Sequence, residues 1–176
     1  MGATVFLLFL LFISSFLFAY SLGSSPRVAA NNDWHDALIY LKDNTPEEAV
    51  IMSWWDYGYW ILDLAERTPV VDNGFYGYDR ERLQDVGLAY CTTDASKAVQ
   101  VMQKYGADYL VFSEVEIKIL PAITEFGLGE AHGDGRSIPE ELEGSLYNRS
   151  LSGDFQSEQG LRVVYQNEEV VILGLE

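Results

Sequence analysis

Apolar positions follow three different patterns along this chain. From Ala3 to Leu22 they run almost without interruption, and the first 22 residues contain no Asp, Glu, Lys, Arg or His. A helix of that length, at about 1.5 Å per residue, spans roughly the 30 Å hydrocarbon core of a bilayer. A cleaved signal peptide is the alternative, but the basic leading region is absent and the first cation is Arg27. A helical period then takes over, with Trp34, Ala37, Leu38 and Leu41 on one face of "WHDALIYLKDN", capped by Asn32 or Asp33 and ended by "NTPEE". After it come short apolar runs alternating with helical stretches.

Those runs predict strands at "AVIMS" (Ala49 to Ser53), "PVVDNG" and "DYLVF" (Asp108 to Phe112). The stretches between them predict helices over "ILDLAER", near Asp79 to Tyr90, and over Asp94 to Tyr105 with Asp94 as cap. Glu114 to Phe126 reads as a helix kinked by Pro121. A loop "GLGEAHGDGRS" and a short helix around Pro139 to Tyr147 follow. The closing "LRVVYQNEEVVILGL" predicts two strands turning at Asn167 and Glu168. The expected fold is α/β: one N-terminal transmembrane helix (1–22), a linker (23–32), then a single mixed-sheet α/β domain (33–176) ending in a β-hairpin.

Charge narrows the partners. All 27 acids lie after the apolar segment, against 11 bases, for a net charge of -16. Such a domain repels nucleic-acid phosphates and anionic headgroups, so no nucleic-acid partner is expected. Cys91 has no second cysteine to pair with, and His35 and His132 are too scattered to predict a metal site.

"SWWDYGYW" at Ser53 to Trp60 holds three of the four tryptophans around one acid, Asp56. It follows the first strand directly, at the carboxyl edge where open α/β sheets bind ligands. A carboxylate only accepts hydrogen bonds and an indole N–H only donates. Together they satisfy a hydroxyl, while the ring faces of Trp54 and Trp55 can hold a methyl. A threonine side chain carries both groups, and valine would leave the polar groups unpaired. Gly58 lets the backbone approach closely or turn. Against this stands plain packing, with Trp55, Tyr59 and Leu62 at helical spacing as core and Ser53 with Asp56 as a capping box.

"WWDYG", Trp54 to Gly58, resembles the signature of the oligosaccharyltransferase catalytic subunits, the membrane enzymes of asparagine-linked glycosylation. The stretch from Asn31 to Ile61, the strand "DYLVF" and the last fifteen or so residues look like the archaeal-type members. The resemblance implies that Trp54, Trp55 and Asp56 contact the serine or threonine hydroxyl of an Asn-x-Ser/Thr acceptor. Tyr57 and Gly58 would shape that pocket. It also implies a second, looser motif bordering the pocket, for which "SEVEIKILPAI" supplies Glu116, Lys118, Ile119 and Ile123 as candidates. Glu116 stands where the family has Asp or Met, Ile119 where it has Lys, and Lys118 falls one residue early.

In that family the transfer chemistry uses acids in loops between membrane helices, which hold a divalent metal, Mn or Mg, and meet the lipid-linked oligosaccharide. No acid precedes Asp33 here, so the resemblance implies no catalytic residue and no metal ligand in this chain. The expected role is the C-terminal sequon-recognition domain of a glycosyltransferase, on the extracytoplasmic side of a membrane. A stand-alone membrane-anchored module binding peptide or sugar is the alternative. One acceptor-type sequon, Asn148-Arg149-Ser150, lies in the chain itself.

Overall fold

The computed structural model describes residues 31–72, 74 and 80–176, which lie in one unit, Asn31–Glu176. The membrane helix expected over 1–22 lies outside the described residues. Among the described residues no helix is long and apolar enough to cross a membrane. For the described residues the fold class is therefore corrected to a mixed α/β single-sheet domain, with no spanning helix among them.

Helix α1 (Asn32–Asn44) begins because Asn31 accepts a hydrogen bond from the Trp34 amide at 3.0 Å, one residue earlier than the expected cap. Its buried face is the expected one: Trp34, Ala37, Leu38 and Leu41. It stops at Thr45, extended ahead of Pro46, whose ring disfavours helical geometry in the residue before it. Arg67 braces this end from within the protein, donating to the carbonyls of Lys42 and Thr45.

The chain continues through β1 (Val50–Met52), a 3₁₀ turn (Trp55–Tyr57), α2 (Gly58–Asp63) and β2 (Thr68–Pro69). Helices α3 (Arg80–Cys91) and α4 (Ala95–Tyr105) lead to β3 (Tyr109–Ser113). Asp94 caps α4 as expected, accepting from the Ser96 amide at 2.9 Å. Beyond β3 come a second 3₁₀ turn (Glu114–Lys118), α5 (Leu120–Leu128), a third turn (Glu140–Leu142) and α6 (Leu146–Leu151). Strands β4 (Ser157–Glu158), β5 (Leu161–Gln166) and β6 (Val170–Leu175) finish the domain.

The six strands form one sheet in the order β2-β1-β3-β6-β5-β4. β2, β1 and β3 are parallel, and β6 turns antiparallel against β3. β5 and β6 form the expected hairpin, with the Asn167 side chain accepting from the amides of Glu169 and Val170 in the turn. The two central strands are buried on both faces. Leu110, Val111 and Phe112 on β3, and Val170 to Leu173 on β6, expose 1 % or less. Successive strand residues point to opposite faces, so helices and loops cover the sheet on each side.

Two helix readings are corrected. The element expected over Glu114 to Phe126 is broken at Ile119, and Pro121 stands in the first turn of α5 instead of kinking a longer helix. The ring's missing N–H costs nothing there. The helix expected around Pro139 to Tyr147 is a 3₁₀ turn followed by α6 from Leu146.

Helices α3 and α5 meet through glycine. A Cβ on Gly127 would lie 2.4 Å from the carbonyl carbon and oxygen of Gly87, and one on Gly87 would lie 2.7 Å from the Gly127 nitrogen. Neither helix can carry a side chain at this crossing.

Candidate functional site

Because β1 and β3 are parallel neighbours, their carboxyl ends lie at the same edge of the sheet. β1 delivers Ser53 to Gly58 there, and β3 delivers Ser113 to Lys118. The two sequence candidates, far apart along the chain, thus arrive side by side.

The tryptophans take different roles. Trp54 is enclosed at 1 % exposure, with its ring edge-on to Tyr90 and Phe126 at 6.4 and 6.0 Å. Tyr57, also buried, stacks on Trp34 at 4.2 Å, and Trp60 meets both rings at 5.4–5.6 Å. Trp34 is fixed in turn by donating its indole N–H to the Ser113 hydroxyl at 3.0 Å. Trp55 is half-buried and Asp56 exposed, so these two present themselves at the surface. Packing as a stripe of Trp55, Tyr59 and Leu62 is not what the chain does: Tyr59 and Leu62 are 44 % and 46 % exposed, and Ile61 takes the buried place.

Partial desolvation raises the Asp56 carboxyl above its ordinary range, and a hydrogen bond from the Trp54 side chain opposes that rise. A raised carboxyl stabilises the fold below its unfolded pKa and loses that contribution as pH climbs through the folded value. Asp56 is therefore a poor stabiliser at neutral pH.

Gly58 holds its position for space. Its backbone is ordinary helical, yet a Cβ there would lie 2.4 Å from Asp72 Cα and 2.5 Å from the Val71 oxygen. The segment just beyond β2 is pressed against the end of the WWDYG turn.

The second-motif candidates separate. Glu116 is fully buried, accepting from the Ser113 amide at 3.0 Å and lying 2.9 Å from the Tyr90 hydroxyl. Burial drives its carboxyl well above the ordinary range, its contacts with the Ser113 amide and the Tyr90 hydroxyl oppose that rise, and the Asp56 charge adds to it. Ile123 is buried, Ile119 partly so, and Lys118 is exposed. Tyr90 is the residue that sequence reading missed. Its hydroxyl joins the Trp54 amide, the Val111 carbonyl and Glu116, from a helix whose register shows only an apolar face. No local motif marks it.

Asn148 lies in α6, where its side-chain amide donates to the Glu143 carbonyl at 2.6 Å, and Ser150 of the same sequon is 1 % exposed. Cys91 is buried and its thiol pushed up to about 12, so it is no nucleophile at neutral pH. Among the described residues no three of His, Cys, Asp or Glu are grouped to hold a metal ion.

The family model of the AglB core domain matches residues 46–117, which hold the WWDYG turn and the buried acid. The chain is 36% identical over 80 residues to the dolichyl-diphosphooligosaccharide–protein glycosyltransferase subunit STT3B of Oryza sativa, covering 46% of this chain and 11% of that protein. It is 38% identical over 80 residues to subunit stt-3 of Caenorhabditis elegans, covering 46% and 10%. The chain thus spans about a tenth of the length of these relatives. In structure it superposes on the C-terminal globular domain of an oligosaccharyltransferase from Archaeoglobus fulgidus with a TM-score of 0.67, at 22% identity, covering 83% of this chain and 98% of that one. An Archaeoglobus fulgidus oligosaccharyltransferase tethered to an acceptor peptide containing the NVT sequon matches with a TM-score of 0.62 at 17% identity, covering 78% and 24%. Another structure of an enzyme from that organism is a complex with Zn and sulfate. The fold is that of an oligosaccharyltransferase C-terminal globular domain.

Proposed function

We propose that this domain reads the acceptor sequon for an oligosaccharyltransferase that transfers a lipid-linked oligosaccharide to asparagine in Asn-x-Ser/Thr. The observation that carries the reading is the WWDYG turn itself. An exposed carboxylate beside a half-buried indole projects from the carboxyl edge of the parallel strands, in a domain with this fold. On this reading Asp56 accepts the hydroxyl of the third sequon residue and Trp55 covers its methyl. Trp54 supports Asp56 from beneath, which revises the expectation that both indoles touch the peptide. Tyr57 and Gly58 hold the turn's shape, and Ile119, just ahead of α5, and Ile123 on it border the site.

The solved relatives bound to an inhibitory peptide with dolichol-phosphate, or to a sequon peptide, support an acceptor polypeptide and a lipid-linked donor as partners of the whole protein. The relative holding Zn is compatible with a divalent metal there, Mn or Mg on the family resemblance. The site would work on the extracytoplasmic side. Transfer itself requires groups beyond these residues.

Titration with Asn-x-Thr and Asn-x-Val peptides, followed by NMR at the indole N–H signals, tests the reading. Millimolar affinity, about 4 kcal/mol, suffices for detection. Trp55 shifts with the threonine peptide and none with the valine peptide are expected, and equal shifts would sink it. Asp56→Ala is expected to weaken threonine binding at least tenfold while leaving the melting temperature unchanged or slightly higher. A clear loss of stability would instead favour a packing role.

The sequon at Asn148 should stay unmodified in the folded domain, because the Glu143 carbonyl holds its amide and its serine is buried. Mass spectrometry of the chain after exposure to an active transferase, folded and then denatured, checks this. Glycan on the folded form would contradict it.

A further inference from the structure

Glu116 has no exposed surface and, among the described residues, no salt bridge to any Lys, Arg or His. Lone buried carboxylates are costly unless neutralised. The hydrogen atoms around Tyr90 give an independent indication. Tyr90 Oη lies 2.8 Å from the Trp54 amide nitrogen, 2.7 Å from the Val111 carbonyl oxygen and 2.9 Å from Glu116 Oε1. A phenol has one hydrogen and two lone pairs. The Trp54 N–H occupies one lone pair, and because a carbonyl can never donate, the Val111 contact is a hydrogen bond only if it takes the Tyr90 hydrogen. The remaining lone pair can only accept. An ionised Glu116 has nothing to donate, whereas a neutral carboxyl completes the set.

We propose that Glu116 is a positioning residue: it stands as a neutral carboxylic acid whose proton locks the Tyr90 hydroxyl, and Tyr90 in turn holds the Trp54 amide and the turn that presents Trp55 and Asp56. Its consequence for recognition rests on the sequon reading above; its geometry does not. Of the groups facing it, the Asp56 charge favours the neutral form, whereas the Ser113 amide favours the ionised one. Asp56 lies on the WWDYG turn, Tyr57 in the same turn, Tyr90 on α3 and Tyr147 on α6, and Glu114 lies on its own turn within reach of Tyr147. Tyr147 closes the cluster by donating to the Ser113 carbonyl at 3.0 Å.

The sign of the pH dependence follows. Desolvation raises the Glu116 carboxyl in the folded state, so its contribution is complete below the unfolded value, near 4.5, and is lost as pH rises through the folded one. The turn should therefore loosen as Glu116 ionises, with an acid-favoured affinity for the sequon peptide.

Carboxyl ¹³C NMR of the full chain, with Glu116→Gln assigning the signal, measures the titration directly. Glu116 is expected to titrate well above the exposed glutamates, and the Trp54 amide signal should move with it. A glutamine can accept from Ser113 and donate to Tyr90, so Glu116→Gln should hold the Trp54 amide at its low-pH position at every pH. Asn-x-Thr affinity should fall severalfold as wild-type Glu116 ionises and stay level in Glu116→Gln. Tyr90→Phe should shift the Trp54 amide and weaken the peptide about tenfold. Titration of Glu116 together with the exposed glutamates would overturn the proposal. So would a Trp54 amide indifferent to that titration, or the same loss of affinity in Glu116→Gln. Should the wild type bind neither peptide at any pH, the sequon reading alone fails, and the carboxyl titration with the Trp54 shift still decides the positioning role.

Discussion

Gly58→Ala should lower the melting temperature by roughly 6–12 °C and erase discrimination between Asn-x-Thr and Asn-x-Val peptides. Overpacking by one methyl costs about 1–3 kcal/mol where side chains can yield, and more where they cannot. Here the methyl would meet backbone, Asp72 Cα at 2.4 Å and the Val71 oxygen at 2.5 Å. An estimate of about 3 kcal/mol, at roughly 2–4 °C per kcal/mol for a domain of this size, gives that interval. Helix propensity opposes it by no more than about 1 kcal/mol, since Gly58 opens a helix. The only relief is to move the turn away from residues 71 and 72, and that carries Trp55 and Asp56 with it. A thermal melt by circular dichroism and the paired peptide titration read the two effects separately. An unchanged melt would mean that this approach is looser than the structure has it.

Gly127→Ala should be comparably damaging, by about 2–4 kcal/mol, for a different reason. Its methyl would strike the Gly87 carbonyl at 2.4 Å, where α3 and α5 cross. α5 also carries Phe126, whose ring packs on Trp54, so separation of the helices should be felt at the site. Gly87→Ala should cost somewhat less, its nearest contact being 2.7 Å. Once the helices have parted, the second methyl adds little. The double variant should therefore lose less stability than the two single losses summed, by more than about 0.5 kcal/mol. Denaturant unfolding of the four proteins checks this, with the Trp54 indole signal reporting displacement. Strict additivity would show that the two glycines do not share one contact.

The elements read from sequence were those whose cause is local. Asp94 announces α4, the "DYLVF" run becomes β3, and Asn167 turns the closing hairpin. The placement of the WWDYG turn at a strand's carboxyl edge also followed from the run just before it. Legibility ended where partners are distant. Glu116 reads as one face of an amphipathic helix, because Tyr90, twenty-six residues earlier, is what makes it a buried acid. Gly87 and Gly127 carry no sign that they touch. The Glu116 carboxyl turning back to the Ser113 amide caps a short turn after the strand, and a separate helix starts at Leu120 with Pro121 in its first turn. The masking of Trp54 was unreadable too, since its neighbours Tyr90 and Phe126 come from two other helices.

Both outer strands, Thr68–Pro69 and Ser157–Glu158, are two residues long, and Pro69 has no N–H to offer. A polypeptide laid along either of these described edges would find few bonds to extend the sheet, so they are poor sites for recognition by strand addition. On the reading proposed, an acceptor must be met at the tips of the strands, by a turn only a few residues wide. On that reading the signal sensed is three residues long, and the described edge strands add nothing to it.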